Sequence, residues 1–485
     1  MVSTATSRRW RLREASARPN QAPYILSVTA GLLLGGIYTL APLMVWALVA
    51  GVVVCRYACR GLPDSERRLL AVTLAVAFAL RLLVIGALVV AGAVGHADPS
   101  LGAVLTGDEA YVLSRALRVR DILLGVAVSK FDYFVAFDEY GRNSYLGVLS
   151  WLQVVFGPTP YAMRALNAVV FTAGSLLLFR EARRAFGWLP SYLALLVMLF
   201  YPTLFVWSIS LLKEPMYLLG TSLVLVSAIR LMRQRAWVPR VWAAIGVTVG
   251  LAIVADLRPG ALAVATTGLV VGVALREATR TAARMALAAA LVMAAAAALV
   301  VLPALQRRTI AALETTAKQQ AGHVFTVGHA YKTLDAGFYM TPQTPLTSNM
   351  TLTPDQAARY VVRSLVSFVV VPLPWQIASL RELAYLPEQF AWYAIVALTP
   401  FGLRRGWSRD PIATALLAGY ILPTAAALAL TNGNVGTMVR LRGVLIPYLA
   451  VLAALGFCDV LEALASRRRA RDPGSPLAGL EGARS

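Results

Sequence analysis

Charge is scarce in this chain. Only 14% of its 485 residues are Asp, Glu, Lys or Arg, where a soluble domain carries nearer a quarter. Acidic residues are scarcer still, 24 against 45 basic ones, so the formal net charge is +21. Histidine and cysteine number three each. So few thiols exclude a disulfide-built scaffold. Cys55 and Cys59, four apart in "CRYACRGLP", read as reduced thiols on a basic loop. His323 and His329, in "AGHVFTVGHAYK", lack the spacing of a helical metal pair, and no zinc site is expected there. GxGxxG, Walker A, HExxH and GxSxG motifs are missing too. Their absence argues against a cytosolic nucleotide as energy source or sugar donor. No short-period internal repeat is present.

In place of charge stands hydrophobicity. Fully 58% of the residues are hydrophobic, and the mean hydropathy is +0.67. Several apolar runs reach the ~20 residues that a membrane helix needs. The basic excess, mostly arginine, falls in short clusters between these runs. That is the pattern of the positive-inside rule. The expected partners of those clusters are anionic membrane lipids, not nucleic acid.

Orienting the runs by arginine gives an all-α, polytopic membrane protein of about 12 transmembrane helices, with juxtamembrane helices on the outer side. An Arg-rich tail, 1–23, is cytoplasmic, without a cleavage site of the signal-peptide kind. Residues 24–464 form the membrane domain. The stretch 24–55 is too long for one untilted helix, so a hairpin is expected to turn near Thr39-Leu40-Ala41-Pro42, where proline can break it. Two outer segments follow, 96–160 and 306–387. The second contains "LTPDQAARYVVRSLVSFVVVPLPWQ", read as a juxtamembrane or re-entrant helix. The tail 465–485 is cytoplasmic and disordered. The expected location is the plasma membrane, multi-pass, with both termini cytoplasmic and the active site on the outer face.

This topology sorts the polar residues. Carboxylates near membrane ends gather outside: Asp108, Glu109, Glu214 and Asp256. Lys213, Arg258, Arg440 and Arg442 accompany them. Arginine can grip phosphate bidentately. Carboxylates can act as a base or hold a divalent metal. In "TGDEAY", Thr106 and Glu109 have the spacing of a capping box, with Glu109 at its third helical position. Asp108 is left at the positive end of a helix whose polar face continues through Tyr111, Arg115 and Arg118. Its apolar face is Val112, Leu113, Ala116, Leu117, Val119, Leu123 and Leu124. Asp108 and Glu109 are the candidate catalytic pair, and the candidate ligands should a divalent metal take part. Lys213-Glu214-Pro215 opens a helix at the same surface. Asp256 and Arg258 share the tip of a tight helical hairpin. Arg440 and Arg442 violate the positive-inside rule, which implies a partner.

The order of these features resembles a family. An outward helix leads to an outer loop whose acidic pair opens an amphipathic helix. Then come Phe156-Gly157-Pro158-Thr159, Arg164 with Asn167, and Phe186-Gly187. "WSISLLKEP" and Val439-Arg440-Leu441-Arg442-Gly443 before the last helix continue the likeness. Together they resemble the GT-C-fold glycosyltransferases, and among them the protein-mannosyltransferase-like group. The likeness covers roughly 71–275 and the last helix. It departs in an extra N-terminal hairpin and in having no large soluble C-terminal domain. The long outer segment matches no motif of the group.

The resemblance implies a GT-C fold and a polyprenyl-phosphate-linked sugar as donor. It also implies a glycan, lipid or protein acceptor and an inverting transfer. The first-loop acid of the family, as catalytic base or metal-linked residue, maps onto Asp108, with Glu109 beside it. Arg258, Arg440, Arg442 and Lys213 are then the expected phosphate contacts, and Tyr111, Arg115, Glu214 and Asp256 the supporting residues. Two alternatives stay open. A transporter or flippase of a lipid-linked glycan needs charges along a midplane path and, often, repeats. A GT-C-like protein without catalysis would act as an envelope scaffold.

Overall fold

The computed structural model describes residues 27, 29–33, 35, 41–94, 107–139, 143–324, 334, 335, 338, 351–376, 383 and 385–471. The Arg-rich N-terminal tail, Thr39, Leu40, Thr106, His329 and the tail after Arg471 lie outside them, as does the side chain of His323. Every regular element among the described residues is helical.

Proline opens many of these helices, where its missing N–H costs nothing. Pro42 begins α1 (Pro42–Cys59) after an extended Ala41, at the expected break. α2 (Asp64–Val94) follows. Three short helices then run across one end of the bundle: α3 (Gly107–Leu123), α4 (Lys130–Phe137) and α5 (Ser144–Phe156). Next come α6 (Pro160–Phe186), α7 (Trp188–Phe200), α8 (Pro202–Ile209), α9 (Glu214–Arg233), α10 (Trp237–Leu257), α11 (Ala261–Ala278) and α12 (Ala282–Val301). α13 (Pro303–Val324), α14 (Pro354–Val370), α15 (Leu386–Arg409), α16 (Pro411–Thr431), α17 (Val435–Arg442) and α18 (Ile446–Arg471) complete the chain.

Among the described residues, nine helices are long and apolar enough to cross a membrane, or up to ten if the bent pair α7–α8 makes one span. The protein is therefore a multi-pass helical membrane protein. The sequence expectation of about twelve crossings also included α15. Pro387, Glu388 and Gln389 at one end and Arg404 and Arg405 at the other dilute its apolar stretch. Helix α14 turns its polar residues Tyr360, Arg363, Ser364 and Ser367 inward and exposes Val362, Leu365 and Val366. Such an inverted face suits a helix that borders lipid.

The core gathers around α6, whose apolar window is 78% buried, whereas none of that of α12 is. One feature near the core escaped the sequence reading. α7 and α8 meet at a 60° bend, where Pro202 interrupts the hydrogen-bond ladder. Arg81 of α2, fully buried, reaches this break. It donates to the Leu199 carbonyl at 2.8 Å, to Ser208 Oγ at 2.8 Å and to its own helix at Ala77 O, 2.9 Å. A cation at the C-terminal end of α7 complements the helix dipole and satisfies a carbonyl that the bend exposes.

Close helix approach depends on glycine, as is common between membrane helices. A Cβ at Gly402 of α15 would stand 1.8 Å from Leu452 O, and one at Gly456 of α18 would stand 2.2 Å from Leu398 O. Gly402→Ala must therefore push these two helices apart. It is expected to destabilise the protein by about 1–3 kcal/mol in a detergent unfolding titration. Gly86→Ala, with no atom within 4 Å of the new Cβ, is the control and should stay within about 0.5 kcal/mol of wild type. Equal stabilities would show that α15 and α18 do not touch at this point.

Candidate functional site

The end of the bundle that carries α3–α5 also collects the acidic residues picked out in the sequence. Asp108, in the first turn of α3, pairs with Arg440 of α17, 332 residues away in sequence. The Asp108 side chain is 58% exposed and that of Arg440 37%. The neighbouring Glu109 is fully buried. Its Oε1 accepts from Arg164 Nε at 2.9 Å and from the Leu211 amide at 2.9 Å. The carboxylate thus ties α3 to α6 and to the non-helical segment between α8 and α9. Thr106, the other half of the expected cap, lies outside the described residues.

That segment is held from a second side. Asn167 Nδ2 donates to Ser210 O (2.8 Å), Leu212 O (3.1 Å) and Tyr145 Oη (2.7 Å). Arg164 and Asn167 share one face of α6 at i, i+3 spacing. Between them they fix "SLLKEP", so two stretches far apart in the sequence meet here.

The segment delivers Lys213 and Glu214 to the site. Glu214 Oε1 accepts from an Arg258 terminal nitrogen at 2.9 Å. Arg258 lies 5.3 Å from the centre of the Tyr217 ring, within reach of a cation–π attraction. Asp256 has a different partner from the one its neighbour Arg258 suggests. Its two oxygens accept from the Ser144 amide and hydroxyl, each at 2.9 Å, and so cap the first turn of α5. Beside this contact is a groove of about 380 Å³, with Val119, Phe137, Leu146 and Gly147 as apolar walls and Asn143 and Asp256 at its polar end.

The Lys213 ammonium sits among these charges without an ion pair or side-chain hydrogen bond among the described residues. Burial, and after it the nearby Arg258, push its ammonium below the usual lysine range, against the opposing pull of Glu214 and Asp256. The unfolded chain then holds this proton more tightly than the folded one. Stability should therefore rise with pH between the lowered value and the ordinary 10.5. Lys213→Met is expected to remove that rise when melting temperature is followed from neutral pH upward. Parallel profiles for variant and wild type would show that Lys213 is solvated like a free lysine.

Three buried polar atoms in this cluster have no partner among the described residues: Arg258 Nε, Arg440 Nε and Glu214 Oε2. Leaving such atoms unmet costs about 1–3 kcal/mol each. Two of the three are guanidinium N–H donors, which suits an anionic ligand.

Not every residue expected here joins the cluster. Arg442 is 1% exposed. Its nitrogens donate to Phe368 O at 3.0 Å, to Gln389 Oε1 at 2.9 Å and to Val371 O. Trp392 lies 4.7 Å from its guanidinium. It pins α17 to α14 and α15, with its donors spent on these contacts. Arg115, expected on the polar face of α3 with Tyr111, is instead buried and donates to the carbonyls of Ala136 and Asp138. It holds the end of α4, while Tyr111 stays exposed, 5.9 Å from the Arg115 guanidinium. Among the described residues, no group of three or more His, Cys, Asp or Glu side chains gathers to hold a metal. Asp108 and Glu109 each face an arginine.

Sequence reasoning passed over Glu388, in the first turn of α15. It is buried, accepts from the Thr203 hydroxyl, and its backbone carbonyl accepts from Tyr201 Oη at 3.2 Å. The signal was present: like Glu214, it is an acid beside a proline at the start of an apolar helix.

No family model, no curated protein and no solved structure matches the chain.

Proposed function

We propose that the protein is a membrane-embedded glycosyltransferase. It moves a sugar from a polyprenyl-phosphate donor to an acceptor hydroxyl on a glycan, lipid or protein. The cluster around Asp108 is its active site, on the outer face of the cell membrane, with both termini cytoplasmic. The observation that carries this reading is the gathering at one end of the bundle of the Asp108–Arg440 pair and of Lys213 with the Glu214–Arg258 pair, linked through Glu109 and the Leu211 amide. Exposed carboxylate and underused guanidinium donors stand together at the end of the bundle opposite the arginine-rich ends of α6, α9 and α11. The positive-inside rule makes that arginine-rich end cytoplasmic.

In the transfer, the acceptor oxygen attacks the anomeric carbon as Asp108 takes its proton. The bond from the anomeric carbon to the phosphate oxygen breaks, and polyprenyl phosphate leaves with the electron pair. The configuration at the anomeric carbon inverts. Arg440, Arg258 and Lys213 stabilise the charge on the departing phosphate. As the donor phosphate takes over the Arg440 donors, Asp108 is released to the acceptor. The apolar walls beside Asp256 receive the first isoprene units. No nucleotide is required, because the leaving group is already a phosphate. The test is product formation from a polyprenyl-phosphate sugar by purified protein in lipid nanodiscs, compared with Asp108→Asn. Donor moved between leaflets without covalent change would instead support transport.

A further inference from the structure

A second groove lies at the arginine-rich end, between α15 and α18, with about 530 Å³ of free volume. Phe401, Val460 and Leu464 make its apolar floor, and Arg404, Arg467 and Asp459 stand around it. The two helices repeat one arrangement. Phe401 precedes Arg404 by three residues and Leu464 precedes Arg467 by three, so each arginine stands one turn beyond an apolar residue on the same face. Phe401 is 48% exposed and Leu464 51%. Arg467 closes the apolar span Ile446–Arg467, which puts its guanidinium at the level of lipid headgroups.

Both guanidiniums have donors to spare. The Arg404 side chain is 83% exposed, and its nearest carboxylate, Asp459, is 3.8 Å away, beyond hydrogen-bond length. Asp459 is shared with Arg405 at 3.5 Å, and Arg405 hydrogen-bonds Glu462 at 3.0 Å. The Arg467 guanidinium has no ion pair or hydrogen bond among the described residues. Around the groove, Arg404, Arg405, Arg409 and Arg467 outnumber Asp459 and Glu462.

We propose that this groove is a binding site for an anionic glycerophospholipid of the surrounding leaflet. Arg404 and Arg467 grip its headgroup phosphate, and its acyl chains lie over Phe401 and Leu464. A free phosphate would need the arginines and gain nothing from the exposed apolar floor. The lipid matches both halves and staples α15 to α18 beyond their glycine crossing. This site is independent of the transfer chemistry at the opposite end.

The experiment is native mass spectrometry of the full chain, purified in micelles containing equal phosphatidylglycerol and phosphatidylcholine. Wild type is expected to retain phosphatidylglycerol preferentially. Arg404→Gln with Arg467→Gln should cut that preference about twenty-five-fold, at about fivefold per arginine. Phe401→Ser with Leu464→Ser should weaken retention with the arginines intact. Asp459→Asn removes the only carboxylate lining the groove among the described residues and should strengthen it, an arm that stands even if the arginine variants fold poorly. Equal retention of the two lipids by wild type, or a preference unchanged in the arginine variant, overturns the proposal. Displacement of the lipid by inorganic phosphate alone would mark a free-anion site and overturn it as well.

Discussion

Asp108→Asn is expected to lower kcat/KM for sugar transfer by about 10²–10⁴-fold, the contribution of a positioned general base. The substitution keeps the size of the side chain and one oxygen that Arg440 can still donate to. It removes the oxygen that would accept the acceptor proton. Because the Asp108 side chain is 58% exposed, its ion pair contributes at most about 1 kcal/mol to folding. The variant should therefore melt within a few degrees of wild type, and lost activity cannot be assigned to unfolding. Arg440→Ala separates the two halves of the proposed mechanism. It frees Asp108 but removes a phosphate donor, so KM for the lipid-linked sugar should rise and kcat should fall less than in Asp108→Asn. Wild-type turnover by folded Asp108→Asn would sink the assignment of the base. Equal losses of kcat in the two variants would show the pair acting as a structural clasp.

The sequence places these acidic and basic residues at one end of the molecule but leaves their partners open. Hydropathy and arginine placement are properties of single segments, and they put Asp108, Glu214, Asp256, Arg258 and Arg440 together without any tertiary information. Partner choice depends on helix phase and on which ends abut. Arg440 and Arg442 look alike in the sequence because both fall in one short outer stretch. Two residues on a helix are about 200° apart, so Arg440 meets Asp108 while Arg442 enters the core between Phe368 and Trp392. Asp256 and Arg258 share one hairpin tip, yet the end of α10 abuts the start of α5, and Ser144 claims the carboxylate. Arg115 follows the same logic. A polar face on a helical wheel says nothing of a carbonyl pair waiting beneath it, and a long arginine can reach inward as readily as outward.

Helix existence was more legible than helix continuity. Proline marks the start of α1 at Pro42 and of α9 at Pro215, because its effect on the backbone is local. Hydropathy does not register the α7–α8 bend, since both halves are apolar and the average runs across the break. The compensation for that bend, Arg81, comes from another helix and leaves no mark in the neighbouring sequence. Its only signal is a lone arginine in an apolar run, which is reason enough to look for a partner.

The largest loss of stability is expected from Arg164→Leu. Arg164 and Glu109 are 1% and 0% exposed, and their contact is 2.9 Å. Removing one member of a buried pair strips the other of this counter-charge, at a cost of about 3–5 kcal/mol. Glu109→Leu should cost a similar amount for the mirrored reason, and it also strips the Leu211 amide of its acceptor. The double variant, Glu109→Leu with Arg164→Leu, should recover part of the loss. A pair of leucines of modest volume has no charge to desolvate, although the Leu211 amide stays unmet. The sum of the single losses should thus exceed the loss in the double variant by more than the 0.3–0.5 kcal/mol or so expected of independent sites. Because Glu109 fixes the segment that leads into Lys213 and Glu214, sugar transfer should fall in all three variants, including the partly restored one. Unfolding in detergent measures the first effect and transfer the second. Single variants within about 1 kcal/mol of wild type would mean that water reaches this pair. The pair would then be no more than a surface contact, and the anchoring of the 210–213 segment would rest on Asn167 alone.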